Sequence, residues 1–223
     1  LYMINKAEEE GVLTTNKNIL EPTSGNTGIS LALVGRLRGY KVTVVMPENV
    51  SPERTQMLNA YGAEIVYSEG DKGTNGSIEV AQQMAAHDNN FFMPYQYGNQ
   101  ANPGAHYETT GVEILRDQPK VDTFVAGLGT GGTLMGVGRR LKEHNPDIKI
   151  VAVAPEAEDY IQGLRSIEEG FIPPIFDQSL LDSRIMVDSA AAFRTTKLLL
   201  SHEGIFSGIS SGSVVYAAVK LAE

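Results

Sequence analysis

Short apolar runs alternate along the chain with longer segments in which apolar and polar positions recur at helical spacing. The run 41–46 is mostly apolar and is followed by a proline, as expected of a strand buried on both faces of a sheet. The segment 51–61 begins with a serine and a proline in its first turn, which is typical of a helix. We interpret as strands the segments 19–20, 41–46, 64–67, 123–126 and 149–154. We interpret as helices the segments 1–10, 29–34, 51–61, 77–86, 103–116, 134–145, 189–202 and 212–223. This alternation predicts an α/β fold with parallel sheets and right-handed crossovers, whose ligands bind at the carboxyl ends of the strands.

The turn between the first strand and the helix after it has an unusual density of polar groups. It runs from Glu21 to Gly28, and the hydroxyls of Thr23, Ser24 and Thr27 can all donate hydrogen bonds. Its Asn26 adds an amide donor, and the start of a helix adds free N–H groups and the positive end of the helix dipole. Serine, threonine and asparagine also cap helices, but capping needs only one of them. We therefore predict an anion-binding turn whose donors suit a carboxylate.

A second glycine-rich turn lies between the predicted strand 123–126 and the helix after it. In the run Gly127-Leu-Gly-Thr-Gly-Gly-Thr the glycines let backbone N–H groups approach an anion closely, and the threonines add hydroxyls. A phosphate group is the natural ligand of such a turn. The spacing of Gly127, Gly129 and Gly132 also matches a dinucleotide-binding pattern, and Glu156 follows the next strand as that pattern requires. The threonines and the separate carboxylate-type turn favour the phosphate site.

The third glycine-rich element is the run Gly204–Gly212, in which a short apolar stretch leads to a serine-rich helix start. We expect it to be another strand-turn-helix unit with Ser210 or Ser211 at the turn, although either serine could simply cap the helix. The segment 156–182 contains two prolines and has no clear periodicity, so it could form an active-site loop.

Composition narrows the class of protein. The chain has 223 residues, of which 42% are hydrophobic and 20% are charged, as in globular proteins with substantial cores. A net charge of −9 argues against nucleic acid or an anionic membrane as a partner, and no run approaches the ~18 apolar residues of a membrane helix. The absence of cysteine excludes disulfides and thiolate metal sites and fits a cytoplasmic location. We interpret the scattered His87, His106, His144 and His202 as surface or capping residues, and we predict no metal site.

Taken together, these loops resemble the fold type II, tryptophan-synthase-like family of pyridoxal-phosphate enzymes, and most closely the cysteine synthases. The motifs that carry the resemblance are Thr23-Ser24-Gly25-Asn26-Thr27, Gln96-Tyr97 with Asn99, Ala101-Asn102-Pro103, Gly129-Thr130-Gly131-Gly132-Thr133 and Gly208-Ile209-Ser210-Ser211-Gly212. The resemblance implies two open, twisted, largely parallel sheets flanked by helices. It also implies an N-terminal α/β part, residues 1–96, with a mobile subdomain at about 42–86. A C-terminal α/β part, residues 97–223, would carry the phosphate-binding loop.

The resemblance also assigns roles to residues of this chain. Asn26 would bind the cofactor's ring hydroxyl, and Ser210 would face its pyridine nitrogen. The cofactor phosphate would be held by Gly129, Thr130, Gly131, Gly132 and Thr133. The α-carboxylate of the amino-acid substrate would be bound by Thr23, Ser24, Thr27 and Gln96.

The reaction implied is β-replacement on an activated serine, with sulfide or a sulfur-carrier protein as sulfur donor and L-cysteine as product. The enzyme would be a homodimer. Gly163-Leu164-Arg165, followed by Glu169-Gly170-Phe171-Ile172-Pro173, resembles the branch that uses O-phosphoserine, in which an arginine contacts the substrate phosphate. A guanidinium suits a phosphate better than an acetyl group, but Arg165 could also be a solvent-facing loop residue. O-acetylserine therefore stays open as the substrate. Cystathionine β-synthase is a further alternative, because Ala105–Thr110 resembles that enzyme too.

The family's cofactor-binding lysine lies in a segment upstream of the first helix, and we assign no such lysine to this chain. We expect it before Leu1, and we expect the chain to be part of a longer enzyme and inactive alone. A non-catalytic binding or regulatory module, docking a peptide in the carboxylate turn, is the alternative from another functional class.

Overall fold

A computed structural model describes the backbone of residues 1–223 and every side chain except that of Glu169. The chain divides into two compact units, Leu1–Gln96 and Tyr97–Glu223. Each unit is an α/β structure built on its own parallel sheet. The prediction of an α/β fold with parallel sheets is confirmed.

The first unit contains four strands in the order β3-β2-β1-β4, and all neighbouring strands are parallel. Its strands are β1 (Asn18–Pro22), β2 (Val42–Pro47), β3 (Glu64–Ser68) and β4 (Phe91–Phe92). Its helices are α1 (Tyr2–Glu9), α2 (Asn26–Arg38), α3 (Pro52–Ala60) and α4 (Gly73–His87).

Strand β2 explains why this sheet has helices on both faces. All six of its residues are buried, and its side chains alternate between two hydrophobic clusters. Val44 and Met46 pack into the cluster that also holds Ile4 of α1 and Leu31 of α2, whereas Val45 packs with residues of α4. A strand buried on both sides needs a nearly continuous apolar run, which is the pattern in the sequence.

The second unit contains three parallel strands in the order β5-β6-β7. Its strands are β5 (Thr123–Gly127), β6 (Lys149–Pro155) and β7 (Ser183–Val187). Its helices are α5 (Ala101–Glu108), α6 (Thr110–Asp117), α7 (Gly132–His144), α8 (Ser189–Glu203) and α9 (Ile209–Ala222). The central strand β6 again serves two cores, because Ile150 packs with α7 residues on one face and Val153 packs with α8 and α9 residues on the other.

Several elements differ from the sequence-based expectations. The strands β4 and β7 were not predicted, since β4 has only two residues and β7 is half-exposed over most of its length. The predicted helix 103–116 is two helices that meet at Thr109, whose hydroxyl donates to the carbonyl of Ala105 (2.7 Å). Helix α4 already begins at Gly73, four residues before the start of the predicted helix 77–86.

The expected strand before the third glycine-rich turn is wrong. Residues 204–208 connect α8 to α9. The connection starts at Gly204, which ends α8 in a left-handed conformation (φ 67°). The apolar pair that suggested a strand is exposed, with Ile205 at 52% and Phe206 at 89% of their full accessible surface. Exposure of this size is incompatible with a buried strand.

Candidate active-site elements

The carboxylate-type turn lies where the sequence places it, between β1 and α2 in the first unit. Thr23 is buried, and its hydroxyl accepts a hydrogen bond from the N–H of Gly25 (3.2 Å). Ser24 and Thr27 are half-buried, whereas Asn26, the first residue of α2, is exposed. The turn therefore presents side chains at the amino end of a helix of 13 residues, where helix geometry leaves N–H groups without intrahelical partners.

Gln96 belongs to the same group of residues. Thr27 donates its hydroxyl proton to Oε1 of the buried Gln96 (2.8 Å). The structure thus brings together two residues that are 69 positions apart in the chain and that were predicted to bind the same carboxylate. A threonine hydroxyl has one proton, so Thr27 can donate to a ligand only after its hydroxyl turns away from Gln96.

A buried carboxyl group holds the backbone that carries Gln96. Glu21 at the end of β1 has no exposed surface, and its two oxygens accept the N–H groups of Tyr95 (2.7 Å) and Gln96 (2.9 Å). Tyr95 has a left-handed backbone (φ 53°), which is uncommon for a residue with a side chain and which the Glu21 bond helps to hold. Burial raises the pKa of Glu21 to about 8, although the two hydrogen bonds act in the opposite direction. No role for Glu21 could be predicted from the sequence, because nothing in the local pattern shows which distant backbone groups a carboxylate will bind.

The phosphate-type turn lies between β5 and α7 in the second unit. Gly131 caps α7 in a left-handed conformation (φ 88°), and a Cβ there would lie 3.0 Å from Cδ2 of Phe176. A Cβ on Gly132 would lie 2.1 Å from Oδ1 of Asn102, so this position also excludes a side chain. The N–H of Gly132 donates to the hydroxyl of Thr130 (3.2 Å). The remaining N–H groups of the first turn of α7 have no acceptor earlier in the helix.

Other predicted site residues lie beside this turn. A Cβ on Gly129 would be 3.1 Å from the carbonyl oxygen of Gly163, and a Cβ on Gly163 would be 3.3 Å from Oγ of Ser210. The N–H of Arg165 donates to the carbonyl of Leu128 (2.7 Å). The second unit therefore gathers the phosphate-type turn, the segment around Arg165 and the start of α9 into one group.

The side chain of Arg165 lies against two aromatic rings. Its guanidinium carbon is 4.8 Å from the ring centre of Phe171 and 5.4 Å from that of Tyr97. The two rings are themselves nearly perpendicular, with their centres 5.6 Å apart. Cation–π contacts and edge-to-face packing of this kind fix the orientation of the guanidinium. Arg165 is half-buried, so its side chain packs on these rings and is only partly exposed to solvent.

The reading of His106 as a surface or capping residue is wrong. His106 lies half-buried on α5, where Nδ1 is 3.1 Å from the hydroxyl of Thr110 and Nε2 is 3.2 Å from the hydroxyl of Thr133. One turn earlier, Nδ2 of Asn102 donates to the hydroxyl of Thr130 (3.1 Å). The i, i+4 spacing of Asn102 and His106, which places them on one face of a helix, was the available signal.

The long segment 156–182 has little regular secondary structure, but it is packed against the cores of the second unit. It contains two short 3-10 turns, Ile167–Glu169 and Gln178–Leu180. Ile161 and Phe176 are buried in the two cores of the second unit. Because this segment also carries Arg165 and Phe171, its anchoring supports the residues beside the phosphate-type turn.

The part of the chain that the structure describes contains no cluster of three His, Cys, Asp or Glu side chains able to hold a metal ion. Within the same residues, no helix combines the length and apolar character that crossing a membrane requires.

A phosphate ester fits the donors of the second unit. The turn offers backbone N–H groups, a left-handed glycine at a helix start and two threonine hydroxyls, which are kinds of donor that bind phosphate. Side chains at Gly131 or Gly132 would meet Phe176 or Asn102, so the close backbone approach depends on glycine. The residues present therefore fit the phosphate group of a cofactor.

Comparison with known proteins gives consistent results. The family of pyridoxal-phosphate dependent enzymes matches residues 1–223. A cysteine synthase of Staphylococcus aureus strain Mu50 is 43% identical over 232 aligned residues, which cover 100% of this chain and 74% of that protein.

Solved structures also resemble this chain. A cysteine synthase from Entamoeba histolytica has a TM-score of 0.90 at 36% identity, with 99% of this chain and 68% of that chain covered. A hydrogen sulfide-producing enzyme from Fusobacterium nucleatum has a TM-score of 0.94 at 38% identity, with coverage of 99% and 77%. An O-ureido-L-serine synthase has a TM-score of 0.93 at 37% identity, with coverage of 99% and 72%.

Proposed function

The chain belongs to the family of pyridoxal-phosphate dependent enzymes, and from this premise we propose that the full-length protein is a cysteine synthase. The reaction would replace the β-substituent of an activated serine with sulfur to give L-cysteine. The observation that carries the proposal is the similarity of this chain, over its whole length, to cysteine synthases. The predicted resemblance, the enzyme class and the pyridoxal-phosphate cofactor are confirmed. The family match favours a pyridoxal-phosphate enzyme over a nicotinamide enzyme.

In this proposal the second unit holds the cofactor. Gly129 to Thr133 would bind its phosphate, and Ser210 would face its pyridine nitrogen. When bound, the cofactor supplies an electron sink for the α-carbon of the substrate, so that a group on the β-carbon can leave. The neutral hydroxyl of Ser210 would leave the ring nitrogen unprotonated, whereas a carboxylate there would hold a proton on it. A shallower sink favours prompt loss of the leaving group.

The first unit would bind the amino-acid substrate. Thr23, Ser24, Thr27 and Gln96 would bind its α-carboxylate, and Asn26 would bind the ring hydroxyl of the cofactor. The bond between Thr27 and Gln96 supports this assignment, because it keeps two hydrogen-bonding side chains at the amino end of α2. When the substrate binds, the Thr27 hydroxyl would turn away from Oε1 of Gln96 and donate to the substrate carboxylate instead.

We further propose that residues 42–86 move as a body when the substrate carboxylate binds, and thereby exclude water from the reaction. Bonds within this segment support movement as one piece. The amide of Asn49 donates to the carbonyl of Gly70 (3.1 Å), and the hydroxyls of Ser68 and Ser77 form a buried hydrogen bond (2.8 Å).

The orientation of Arg165 supports O-phosphoserine as the activated serine. The faces of Tyr97 and Phe171 hold a guanidinium in a segment that is bonded to the phosphate-type turn through Leu128. The planar fork of an arginine side chain forms paired, charge-assisted bonds with a phosphate and has no equivalent interaction with an acetyl ester. O-acetylserine is the competing substrate. It offers no second anion, so Arg165 would have no charged group of that substrate to bind.

A specificity ratio tests this preference. Arg165→Ala in the full-length enzyme should lower kcat/KM for O-phosphoserine at least tenfold, because the loss of ~1.4 kcal/mol of transition-state stabilisation is a factor of ten. Turnover of O-acetylserine should change little. Arg165→Lys keeps the charge but not the fork and should recover only part of the loss.

Arg116→Ala is a matched control, because it removes an exposed arginine that pairs only locally with Asp117 in the described structure. If Arg165→Ala lowers kcat/KM equally for both substrates, then Arg165 is structural and O-acetylserine is the better assignment. Sulfide or a sulfur-carrier protein as donor, a homodimer and a cytoplasmic location complete the proposal.

A further inference from the structure

Two residues of helix α5 contact the two threonines of the phosphate-type turn. Asn102 lies beside Thr130, and His106, one helical turn later, lies beside Thr133. The close approach depends on Gly136 of α7, where a Cβ would lie 2.2 Å from the carbonyl oxygen of Pro103. The same Cβ would lie 2.7 Å from Cβ of His106, so the two helices meet over bare backbone. This packing brings His106 to Thr133, which is one turn before Gly136 on the same helix face.

The hydrogen bonds around Thr130 determine where its proton points. Its hydroxyl oxygen accepts from Nδ2 of Asn102 (3.1 Å) and from the N–H of Gly132 (3.2 Å). A hydroxyl oxygen has two lone pairs, and both are then engaged. The remaining proton of Thr130 is directed away from these donors and is available to an anion.

The tautomer of His106 likewise determines where the hydroxyl proton of Thr133 points. If Nε2 carries the proton, it donates to Thr133, whose own proton is then available to an anion, and Nδ1 accepts from Thr110. If Nδ1 carries the proton instead, Nε2 accepts the Thr133 proton, and Thr133 offers only lone pairs. Only the first arrangement lets Thr133 donate to a phosphate. Burial lowers the pKa of His106, which favours the neutral ring that this choice requires.

We propose that Asn102 and His106 are positioning residues for the cofactor phosphate, with each donating an N–H to a threonine oxygen so that both threonine protons face the phosphate. The inference rests on the proposed role of Thr130 and Thr133 as phosphate ligands. It assigns to α5 a function in cofactor binding that its side chains perform without touching the cofactor.

Paired substitutions of His106 test the proposal in the full-length enzyme. The amide nitrogen of a glutamine can occupy the place of Nε2, whereas the shorter asparagine reaches only the place of Nδ1. His106→Asn should therefore weaken binding of pyridoxal phosphate to the apoenzyme about fivefold, because it removes the neutral hydrogen bond that keeps the Thr133 proton directed toward the phosphate. His106→Gln should stay within about twofold of wild type. His202→Asn, on the exposed end of α8, is the control for loss of an imidazole.

A double-mutant cycle separates positioning from packing. Thr133→Val removes the hydroxyl while keeping the shape of the side chain, and it should itself weaken cofactor binding. In that background, His106→Asn should have almost no further effect, because the two residues act through one hydrogen bond. The readouts are the dissociation constant of pyridoxal phosphate and the ³¹P NMR shift of the bound phosphate, which should change in His106→Asn and not in His106→Gln.

The failures of the two proposals are distinguishable. Wild-type cofactor affinity in Thr133→Val would overturn the role of Thr133 as a phosphate ligand. If Thr133→Val weakens binding but the His106→Asn effect is additive to it, or if glutamine is no better than asparagine, then the positioning role is wrong and His106 contributes only to helix packing.

Discussion

The buried carboxyl of Glu21 leads to a prediction about how stability depends on pH. The perturbation is Glu21→Gln, which keeps the size of the side chain but removes its titration. In the folded protein, burial raises the pKa of Glu21 to about 8, whereas the reference value for this group is 4.5. Between these values the folded state holds a proton that the unfolded state has released, so the wild-type protein must lose stability as pH rises.

The magnitude follows from proton linkage. One proton of difference changes the free energy of unfolding by about 1.4 kcal/mol per pH unit, so about 1.5 units, from about pH 5.5 to about pH 7, give about 2 kcal/mol. The stability contributed by protonated Glu21 is complete below pH 4.5 and lost as pH rises to about 8. Glu21→Gln cannot titrate, so its free energy of unfolding lacks this dependence on pH.

Chemical denaturation of both proteins at several pH values measures the effect. The free energy of unfolding of wild type minus that of Glu21→Gln should fall by about 2 kcal/mol between about pH 5.5 and about pH 7. Glu10→Gln, which removes an exposed carboxyl at the end of α1, controls for the loss of a charge. Parallel pH profiles for wild type and Glu21→Gln would refute the reasoning. They would mean that the bonds from Tyr95 and Gln96 outweigh burial and keep the carboxyl ionised.

Two further predictions concern the two turns. Gly131→Ala and Gly39→Ala both place a side chain on left-handed backbone (φ 88° and 79°), so each should lower the free energy of unfolding by about 1 kcal/mol. Only the Cβ at position 131 meets Phe176 beside the phosphate-type turn. Only Gly131→Ala should therefore weaken pyridoxal-phosphate binding in a cofactor titration. Unchanged cofactor affinity in Gly131→Ala would contradict the phosphate assignment. Thr27→Ala should weaken amino-acid binding about tenfold, the loss of one hydrogen bond to a carboxylate, and leave cofactor affinity near wild type in the same titrations. An equal loss of both affinities would contradict the carboxylate assignment.

Local sequence was sufficient for the features that local physics controls. The apolar run of β2 predicted a strand buried on both faces, and glycines between a strand and a helix predicted the positions of the two turns that we propose to bind anions. The left-handed backbone at Gly131 follows from the same logic, since glycine accepts that conformation without a steric penalty.

Features that depend on distant contacts could not be predicted in this way. Glu21 binds backbone groups that lie 74 and 75 residues further along the chain, and no local pattern identifies them. The contact of His106 with Thr133 depends on the packing of α5 on Gly136 of α7, which is a tertiary property. The apolar pair Ile205-Phe206 before α9 led to a wrong prediction of a strand, because its hydrophobicity suggested burial that the fold does not provide.

The most direct test of the proposed function is the product formed by the full-length enzyme. The purified protein is freed of pyridoxal phosphate, divided, and assayed with and without restored cofactor for L-cysteine from sulfide and either O-phosphoserine or O-acetylserine. We predict that L-cysteine forms only after the cofactor is restored, and faster from O-phosphoserine. Absence of L-cysteine from both substrates, or faster formation of cystathionine when homocysteine replaces sulfide, would contradict the assignment as a cysteine synthase.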